Sequence, residues 1–440
     1  MTDNNALARE FLDFSYSSPT AFHAILNLRS YFEQQGFTYI KERDDWNLTP
    51  GGKYFTTRNG SSMVAFIVGT KPPDVTGMKI AASHTDSPSF RIKPSPEWSS
   101  KDFYMRINTE VYGGPILSTW FDRPLAIAGR ITVKSDNIFA PDNFVINIKK
   151  PIAIIPNIAI HLNRELNDGY VYDKQSDTLP FIGQLNNKLG GKGYLRSLLA
   201  EKLEVSMDET LDFELFLYEY EKGTLIGPND EYISASRIDN LQSVWASAKA
   251  LGETENPETT CVSVFFDNEE IGSTTRQGAD STFLSDTIER IVLSMKGNRM
   301  SYLKTLSRSF MLSIDGAHAV HPNVKEREDP TSRPVLNGGP VIKTSAAKRY
   351  TSDSYTSAIF MCLCEEAGVP YQVFANRSDV TGGSTLGPIS AKHVSIPSVD
   401  IGAPVLAMHS IRELCGTEDN ANMYKVIKTY YSSDGIRTQK

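Results

Sequence analysis

Cysteine is scarce in this 440-residue chain, which contains four of them. Cys261, Cys362, Cys364 and Cys415 show neither the spacing of a disulfide framework nor a Cys-X-X-Cys pair. A long chain with so few cysteines is typical of proteins that keep their thiols reduced. We therefore expect buried, reduced thiols and an intracellular, cytoplasmic location.

Long apolar runs and long basic runs are also missing. The most apolar stretch, residues 144–162, is interrupted by Lys149, Lys150 and two prolines, and is too broken for a membrane span of about 20 residues. The first residues lack the basic-then-apolar order of a signal peptide. The formal net charge of −7 argues against nucleic acid as a partner. We therefore expect neither a membrane nor a nucleic acid as a partner.

Apolar residues are abundant enough to build a large core. Hydrophobic residues make up 40% of the chain and aromatic residues 10%, which argues against disorder. The length suits two or three domains of about 100–200 residues each. The sequence therefore predicts a multidomain globular protein.

Two patterns divide the chain. After residue 236, predicted helices and strands alternate, helix first, at 241–251, 261–266, 281–295, 310–314, 356–367 and 393–399. Such alternation favours an α/β fold with a mixed, mostly parallel central sheet covered by helices. Residues 95–234 have the pattern of β-structure and turns instead. We predict a β-rich domain at 95–234, inserted into an α/β domain formed by 1–94 and 235–440.

The stretch 264–273 joins an apolar strand pattern to two adjacent carboxylates. Val-Phe-Phe-Asp-Asn leads directly into Glu269 and Glu270, and Gly272 follows. Carboxylates beside a buried strand are costly unless a cation or a proton accompanies them. One of the pair can bind a metal while the other transfers a proton. This division of roles is the first indication of a hydrolase.

The same pattern, a short apolar run that ends in a potential metal ligand, occurs at other places. It recurs at His84, Asp239, Asp315 and His409. Ligand sites of open α/β sheets gather at the carboxyl ends of strands. Two histidines, two aspartates and two glutamates that converge there suit zinc or a similar divalent ion.

Each of these residues also has an ordinary structural interpretation. A single histidine such as His84 is more often a hydrogen-bonded structural residue, and Asp239 before a helix is more often an N-cap. Adjacent glutamates commonly begin a solvated helix, Asp315 can belong to a turn, and His409 can be a loop residue. The residue types alone therefore suggest a metal site without specifying one.

Read together, the segments resemble the M18 family of aminopeptidases, the aspartyl aminopeptidases. The similarity runs nearly from end to end, and the motifs occur in the family's order. The matching segments are HTDSP at 84–88, RIKP at 91–94, TWFDRP at 119–124, AGR at 128–130, IAIHLNR at 158–164, RIDNL at 237–241, DNEEIGS at 267–273, DGAHAVHPN at 315–323, GPVIK at 339–343 and MHSIRE at 408–413.

The resemblance implies a zinc-peptidase type of fold with two divalent metal ions per subunit, zinc before manganese or cobalt. One ion would be held by His84, Asp239 and Asp315. The other would be held by Asp239, Glu270 and His409, so that Asp239 bridges the two. Carboxylate and imidazole ligands of this kind suit a dinuclear hydrolytic centre.

The resemblance also implies roles for residues beside the metals. Glu269 would be the general base, and Asp86 would orient His84. His161 would reach the active site of a neighbouring subunit and hydrogen-bond the scissile carbonyl. The inserted domain would be a dimerisation domain, and the dimers would assemble into a tetrahedral homododecamer that cleaves short peptides.

Substrate choice is where the chain departs from the family. Lys343 and Tyr350 occupy the places that line the family's pocket for an acidic side chain, so Asp or Glu at the substrate N-terminus is expected. However, residues 324–332 keep none of the histidines that the family carries there. Neutral or broad specificity stays open, as do a deacylase or carboxypeptidase of the same clan and a non-catalytic assembly protein.

Overall fold

The computed structural model describes residues 4–100, 103–185 and 193–433. The helices are α1 Asn4–Ser17, α2 Ala21–Gln34, α3 Pro73–Thr76, α4 Tyr194–Leu203, α5 Ile238–Gly252, α6 Phe283–Ser294, α7 Arg299–Arg308, α8 Ser354–Ala367, α9 Leu386–Ser390 and α10 Thr417–Ser432. No helix within these ranges is long and apolar enough to cross a membrane.

The strands of the described ranges form three sheets. They are β1 Thr38–Tyr39, β2 Lys53–Arg58, β3 Ser62–Ile67, β4 Met78–His84, β5 Ser89–Ser100, β6 Tyr104–Tyr112, β7 Leu125–Val133, β8 Asp142–Asn147, β9 Phe181–Gln184, β10 Thr210–Glu219, β11 Thr224–Ile226, β12 Tyr232–Ala235, β13 Thr260–Phe266, β14 Phe310–Ile314, β15 Ala317–His318, β16 Val341–Thr344, β17 Gln372–Ala375, β18 Ser398–Gly402, β19 Pro404–Leu406 and β20 Glu413–Gly416.

The chain divides into two compact units. The first contains the residues through Ser87, Gly223–Met408 and those from Glu413 on; the second contains Pro88–Lys222 and the short segment His409–Arg412. The second unit is thus inserted into the first, as the sequence pattern predicts. Its boundaries, after Ser87 and after Lys222, lie earlier than the predicted ones at 94 and 234.

A mixed sheet runs through the first unit. Its order is β1-β2-β3-β13-β4-β14-β18-β16-β17, and the central strands β13, β4, β14 and β18 are parallel. The strand β3 runs antiparallel to β13, and β16 runs antiparallel to β18. The predicted α/β class with a mixed central sheet is therefore confirmed.

Both faces of this sheet are buried, which explains the nearly continuous apolar runs of its central strands. On β13, Cys261 and Phe265 belong to one core cluster, while Val262 and Val264 belong to another. Residues of α1, α2, α5, α8 and α10 line the first cluster, and residues of α6 and α9 line the second. Alternate side chains of a strand point to opposite faces, so each face has its own helical layer.

A smaller sheet in the first unit has the order β11-β12-β20-β19-β15. Here β12 pairs with β20 from Tyr232 with Gly416 to Ala235 with Glu413. This long-range pairing explains why residues 224–235 belong to the first unit although their local pattern resembles that of the insert. The sheet also fixes the chain on both sides of residues 409–412.

The second unit contains an antiparallel sheet. Its order is β8-β7-β10-β5-β6-β9, and a separate core that includes Phe90, Ile127 and Leu215 lies on it. The helix α4 contributes Leu195 and Leu199 to the same core. The predicted β-rich character of the insert agrees with this sheet, and its role in dimerisation remains a prediction.

A buried ion cluster in the second unit gives a stability prediction. The fully buried side chain of Glu219 binds Arg123 Nη1 at 2.7 Å and Arg412 Nη2 at 3.0 Å. Without Arg412, the buried Glu219 carboxylate keeps Arg123 but loses its hydrogen bonds to a second cation. We expect Arg412→Met to lower the free energy of unfolding by about 1.5–3 kcal/mol, the usual contribution of a hydrogen bond to a charged group, measured by urea denaturation. An unchanged unfolding midpoint would show that this cluster contributes no stability.

Candidate active site

The predicted metal ligands of the first unit lie at the carboxyl ends of neighbouring strands. His84 is the last residue of β4, and Asp315 directly follows β14. Glu269 and Glu270 form a single 3-10 turn, Glu269–Ile271, after β13. Because β13, β4 and β14 are parallel neighbours, their carboxyl ends meet at one edge of the sheet.

Asp239 reaches the same place from the start of α5. The backbone at Asp239 and Asn240 is non-helical, and the regular helix follows them. The backbone N–H of Asp239 donates to Glu413 Oε2 at 2.9 Å, and Ser87 Oγ donates to the Asp239 carbonyl at 2.9 Å. Asn240 Nδ2 donates to the Ile314 carbonyl at 2.8 Å. Both sides of the Asp239 peptide are therefore fixed.

Three of these side chains converge closely. His84 Nε2 lies 3.3 Å from Asp315 Oδ1 and 3.4 Å from Asp239 Oδ1. The candidate ligand atoms of His84, Asp239 and Asp315 all lie within 4.8 Å of one another, and so do those of His84, Glu269 and Glu270. The structure thus brings together five residues that the sequence predicts for this site.

Asp86 contacts both the His84 ring and the turn that carries Glu269 and Glu270. Its backbone carbonyl lies 3.1 Å from His84 Nδ1, and its Oδ1 lies 3.5 Å from the same nitrogen. Its carboxylate also accepts the backbone N–H groups of Glu269 at 3.1 Å and Glu270 at 3.2 Å. Asp86 therefore fixes the turn that carries the two glutamates as well as the imidazole ring. Such outer contacts commonly orient metal-binding histidines.

Burial dominates the electrostatics of the carboxylates. Burial, together with the nearby carboxylates of Asp315, Asp86 and Asp239, raises the pKa of Glu269 to about 8, although His84 opposes the shift. Burial also raises the pKa of Glu270 well above its ordinary value. Bringing these groups together in their charged forms is unfavourable unless positive charge accompanies them.

Positive charge acts on the other members of the group. Burial alone would raise the pKa of Asp315, but the Lys343 ammonium and the hydrogen bond from His84 hold it below its ordinary value. Burial would lower the pKa of His84, yet its bonds to Asp239, Asp315 and Asp86 raise it well above the ordinary value. The cluster therefore favours a bound cation.

The donor set fits a divalent metal ion. It combines an imidazole nitrogen with carboxylate oxygens from different strands, which is the chemistry that zinc prefers in catalytic sites. The Nδ1 atom of His84 is directed at Asp86, so its Nε2 atom faces Asp239 and Asp315. This arrangement of imidazole and carboxylates is typical of metal-binding histidines.

Lys343 and Tyr350 lie beside this group. The Lys343 side chain is buried, and its Nζ donates to the Gly316 carbonyl at 2.9 Å and to Asp315 Oδ2 at 3.5 Å. The same Nζ lies 5.5 Å from the centre of the Tyr350 ring. The structure therefore brings Lys343 into contact with a candidate metal ligand, a role that the sequence does not reveal.

The remaining two predicted site residues belong to the second unit. His161 is exposed, in a turn of the segment that follows β8. His409 belongs to the segment His409–Arg412; its Nδ1 lies 3.0 Å from the Gly114 carbonyl, and its own carbonyl accepts the Ile116 N–H at 2.9 Å. A histidine held through Nδ1 can present Nε2 to a ligand. The functions of both residues remain predictions.

The comparisons with known proteins all lead to one family. Residues 14–431 match the family model of Peptidase_M18, described as aminopeptidase I zinc metalloprotease (M18). The chain is 52% identical over 432 residues to the probable M18 family aminopeptidase 2 of Clostridium novyi (strain NT), covering 98% of this chain and 100% of the relative.

Solved structures agree with this similarity. The chain resembles a protein in a cryo-EM structure of the Ape4 and Nbr1 complex, with a TM-score of 0.93, 36% identity and coverage of 98% of this chain and 86% of the other. It also resembles the S. cerevisiae mApe1 dodecamer, with a TM-score of 0.83, 27% identity and 97% coverage of both chains.

Proposed function

The chain belongs to the M18 family of zinc metalloproteases, and on this premise we propose that it is a dinuclear aminopeptidase that removes N-terminal residues, acidic ones by preference, from short peptides. The observation that carries the proposal is the convergence of His84, Asp239 and Asp315 within 4.8 Å. Glu269 and Glu270 lie at the same strand edge, and the donor set suits divalent metals.

The proposed ligand sets follow the family pattern. One ion would be held by His84, Asp239 and Asp315, and the other by Asp239, Glu270 and His409. Divalent ions in such a centre supply Lewis acidity that favours ionisation of water and polarises a carbonyl. Zinc is the proposed metal, and manganese or cobalt would suit the same oxygen and nitrogen donors.

The protein groups transfer the proton in the proposed reaction. Glu269 accepts a proton from the attacking water as the new carbon–oxygen bond forms, and returns it to the amine nitrogen as the carbon–nitrogen bond breaks. The position of Glu269 in one cluster with His84 and Glu270 and its backbone N–H, which donates to Asp86, support this assignment.

His161 is proposed to act on a neighbouring subunit's site, where it would hydrogen-bond the scissile carbonyl oxygen. Its exposure supports the proposal, as do the exposed apolar side chains around it, Ile158, Ile160 and Leu162. Exposed apolar groups are typical of interaction surfaces.

We propose homodimers through the second unit and a tetrahedral homododecamer, and the dodecameric mApe1 structure supports such self-association. Light scattering would test this assembly.

The cytoplasm is the proposed location. All four cysteines are free thiols, which suits a reducing compartment; Cys261, Cys364 and Cys415 are buried as expected, whereas Cys362 is exposed.

Reporter substrates test the reaction class. We expect hydrolysis of free aminoacyl reporters and none of N-acylated or C-terminal reporters, because the free α-amine of the substrate would bind a metal ion in the proposed reaction. A deacylase or carboxypeptidase of the same clan would show the opposite pattern. A protein that cleaves none of these reporters with zinc, manganese or cobalt would refute the aminopeptidase proposal.

Lys343 is the proposed partner of an acidic first side chain. An ammonium has three N–H donors, and two of them serve Asp315 and Gly316. The third would bind a substrate carboxylate, with Tyr350 as a neighbouring wall. The existing pair with Asp315 neutralises part of the lysine charge, and this observation favours the alternative of a neutral or broad specificity.

Replacing Lys343 separates the two specificities. We expect Lys343→Gln to lower kcat/KM for Asp and Glu reporters relative to Leu reporters by about 10- to 100-fold, because a hydrogen bond to a charged group is lost. The exposed Arg349→Gln removes one nearby positive charge and is the matched control. An unchanged ratio of acidic to neutral reporters in Lys343→Gln would favour broad specificity.

A further inference from the structure

Asp400 is a carboxylate buried inside the central sheet, and it is not among the groups of the proposed reaction. Its exposed fraction is 0%. It lies on β18, between β14 and β16, and its register partner on β14 is Ser313. On the other side Ile401 pairs with Ile342 in antiparallel register. Lys343 follows Ile342 and Asp400 precedes Ile401, so both lie next to this pair on neighbouring strands.

Both oxygens of Asp400 accept two hydrogen bonds. Oδ1 accepts from Ser313 Oγ at 2.6 Å and from Thr385 Oγ1 at 2.6 Å. Oδ2 accepts from the Thr351 backbone N–H at 2.6 Å and from Thr351 Oγ1 at 2.7 Å. Hydrogen bonds to a carboxylate are short and roughly twice as strong as neutral ones. This set of donors therefore fixes the carboxylate and the chain segments that supply them.

The donors come from three segments around the candidate site. Ser313 lies two residues before Asp315 on β14, and Thr351 directly follows Tyr350. Thr385 precedes α9 and ends the Gly-Gly-Ser-Thr sequence at 382–385. One carboxylate therefore connects the strand of a candidate metal ligand, the segment of Tyr350 and a glycine-rich loop.

The approach of α9 to Asp400 is equally close. A Cβ atom added to Gly387 would lie 2.8 Å from Asp400 Oδ2 and 3.0 Å from its Oδ1. A larger residue at 387 would therefore displace the carboxylate or the helix. The backbone of α9 packs directly onto this buried charge.

We propose that Asp400 is a positioning residue, which fixes the Tyr350 segment beside Lys343 and fastens the 382–385 loop through the same carboxylate. This inference rests on the proposed aminopeptidase function. Asp400 itself touches no reacting atom. It acts through Thr351 and Thr385, because small displacements of residues that line a site weaken substrate positioning.

Asp400→Asn tests the inference. The amide oxygen can still accept from the Thr351 N–H, but the amide nitrogen then faces the hydroxyl groups of Ser313 and Thr385. We expect faster amide hydrogen exchange in peptides that contain residues 345–352 and 380–386, measured by mass spectrometry. We also expect KM for aminoacyl reporters to rise about 10-fold or more, while kcat stays within about 2-fold, because uniform binding is lost.

Two further variants make the test specific. Thr385→Val removes one donor at nearly constant volume and leaves the carboxylate in place, so exchange should increase in 380–386 alone. Asp419→Asn is the matched control, because Asp419 is also fully buried and accepts the backbone N–H groups of Asn337 and Gly339 at 2.6 and 2.8 Å. Asp419→Asn should leave KM unchanged. Amide hydrogen exchange in residues 345–352 and 380–386 should be unchanged as well.

The two readouts separate this inference from the proposed function. If the wild-type protein cleaves no aminoacyl reporter, the proposed function fails, and the exchange experiment alone decides whether Asp400 fixes the two segments. Unchanged exchange in both segments of Asp400→Asn overturns the inference. In an active enzyme, a fall in kcat at constant KM overturns it as well.

Discussion

Replacing Glu269 with glutamine is expected to lower kcat by about 10²- to 10⁴-fold, the usual contribution of a general base, while the metal content stays unchanged. Glutamine has nearly the same shape as glutamate, but it cannot accept and return a proton. The backbone N–H of residue 269 still donates to Asp86, so the turn should be preserved. Steady-state kinetics and elemental analysis of the same preparation measure the two quantities.

The exposed Glu366→Gln in α8 is the matched control for Glu269→Gln, and it should behave as the wild type. An active Glu269→Gln protein that holds its full metal content would refute the assignment of the base. Loss of metal together with loss of activity would indicate that Glu269 is a ligand instead.

Replacing Asp239 with asparagine should have the largest effect on metal binding. The carboxylate of Asp239 is proposed to bridge two ions, and its neutral replacement removes charge from both ligand sets. We expect less than about one ion per chain and a loss of activity of about 10³-fold or more, because the Lewis acid and its electrostatic stabilisation are lost together. Chelation of the wild-type protein should give the same loss, reversible by added divalent metal.

Asp419→Asn is again the matched control, since it is the same substitution at a fully buried aspartate outside the proposed ligand sets. It should retain metal and activity. A wild-type protein that remains active after complete metal removal would contradict the metal-dependent reaction, and a fully loaded Asp239→Asn protein would contradict the bridging role.

The positions of the central candidate ligands can be predicted from the sequence because their signal is local. At His84, Asp315 and Glu269 an apolar strand ends and a potential ligand follows, and the structure has those strand ends at β4, β14 and β13. Parallel neighbours bring such ends together. The order of the family motifs then assigns roles that the residue types alone leave open.

The sequence misses groups whose importance depends on distant partners. The predicted strand 393–399 is mostly wrong, since β18 is Ser398–Gly402 and the buried Val394 and Ile396 precede it outside any strand. These apolar residues give a strand-like pattern because they pack in a core cluster. The predicted strand therefore stops before Asp400, whose four donors come from residues that lie 15 to 87 positions away.

Contacts to the backbone are equally invisible in a local pattern. Glu413 accepts the N–H of Asp239 from 174 residues away. Lys343 pairs with Asp315, whereas its motif indicates only a lysine of the substrate pocket. The predicted domain boundaries at 94 and 234 lie too late in the chain for the same reason. The pairing of β12 with β20 and the start of β5 at Ser89 depend on partners far along the chain.

Anomalous diffraction at the zinc edge, from crystals grown with zinc, tests the central claim most directly. We expect two peaks per chain, one among His84, Asp239 and Asp315 and the other among Asp239, Glu270 and His409. A single peak, peaks elsewhere, or no peak among these side chains would contradict the dinuclear centre from which the proposed chemistry follows.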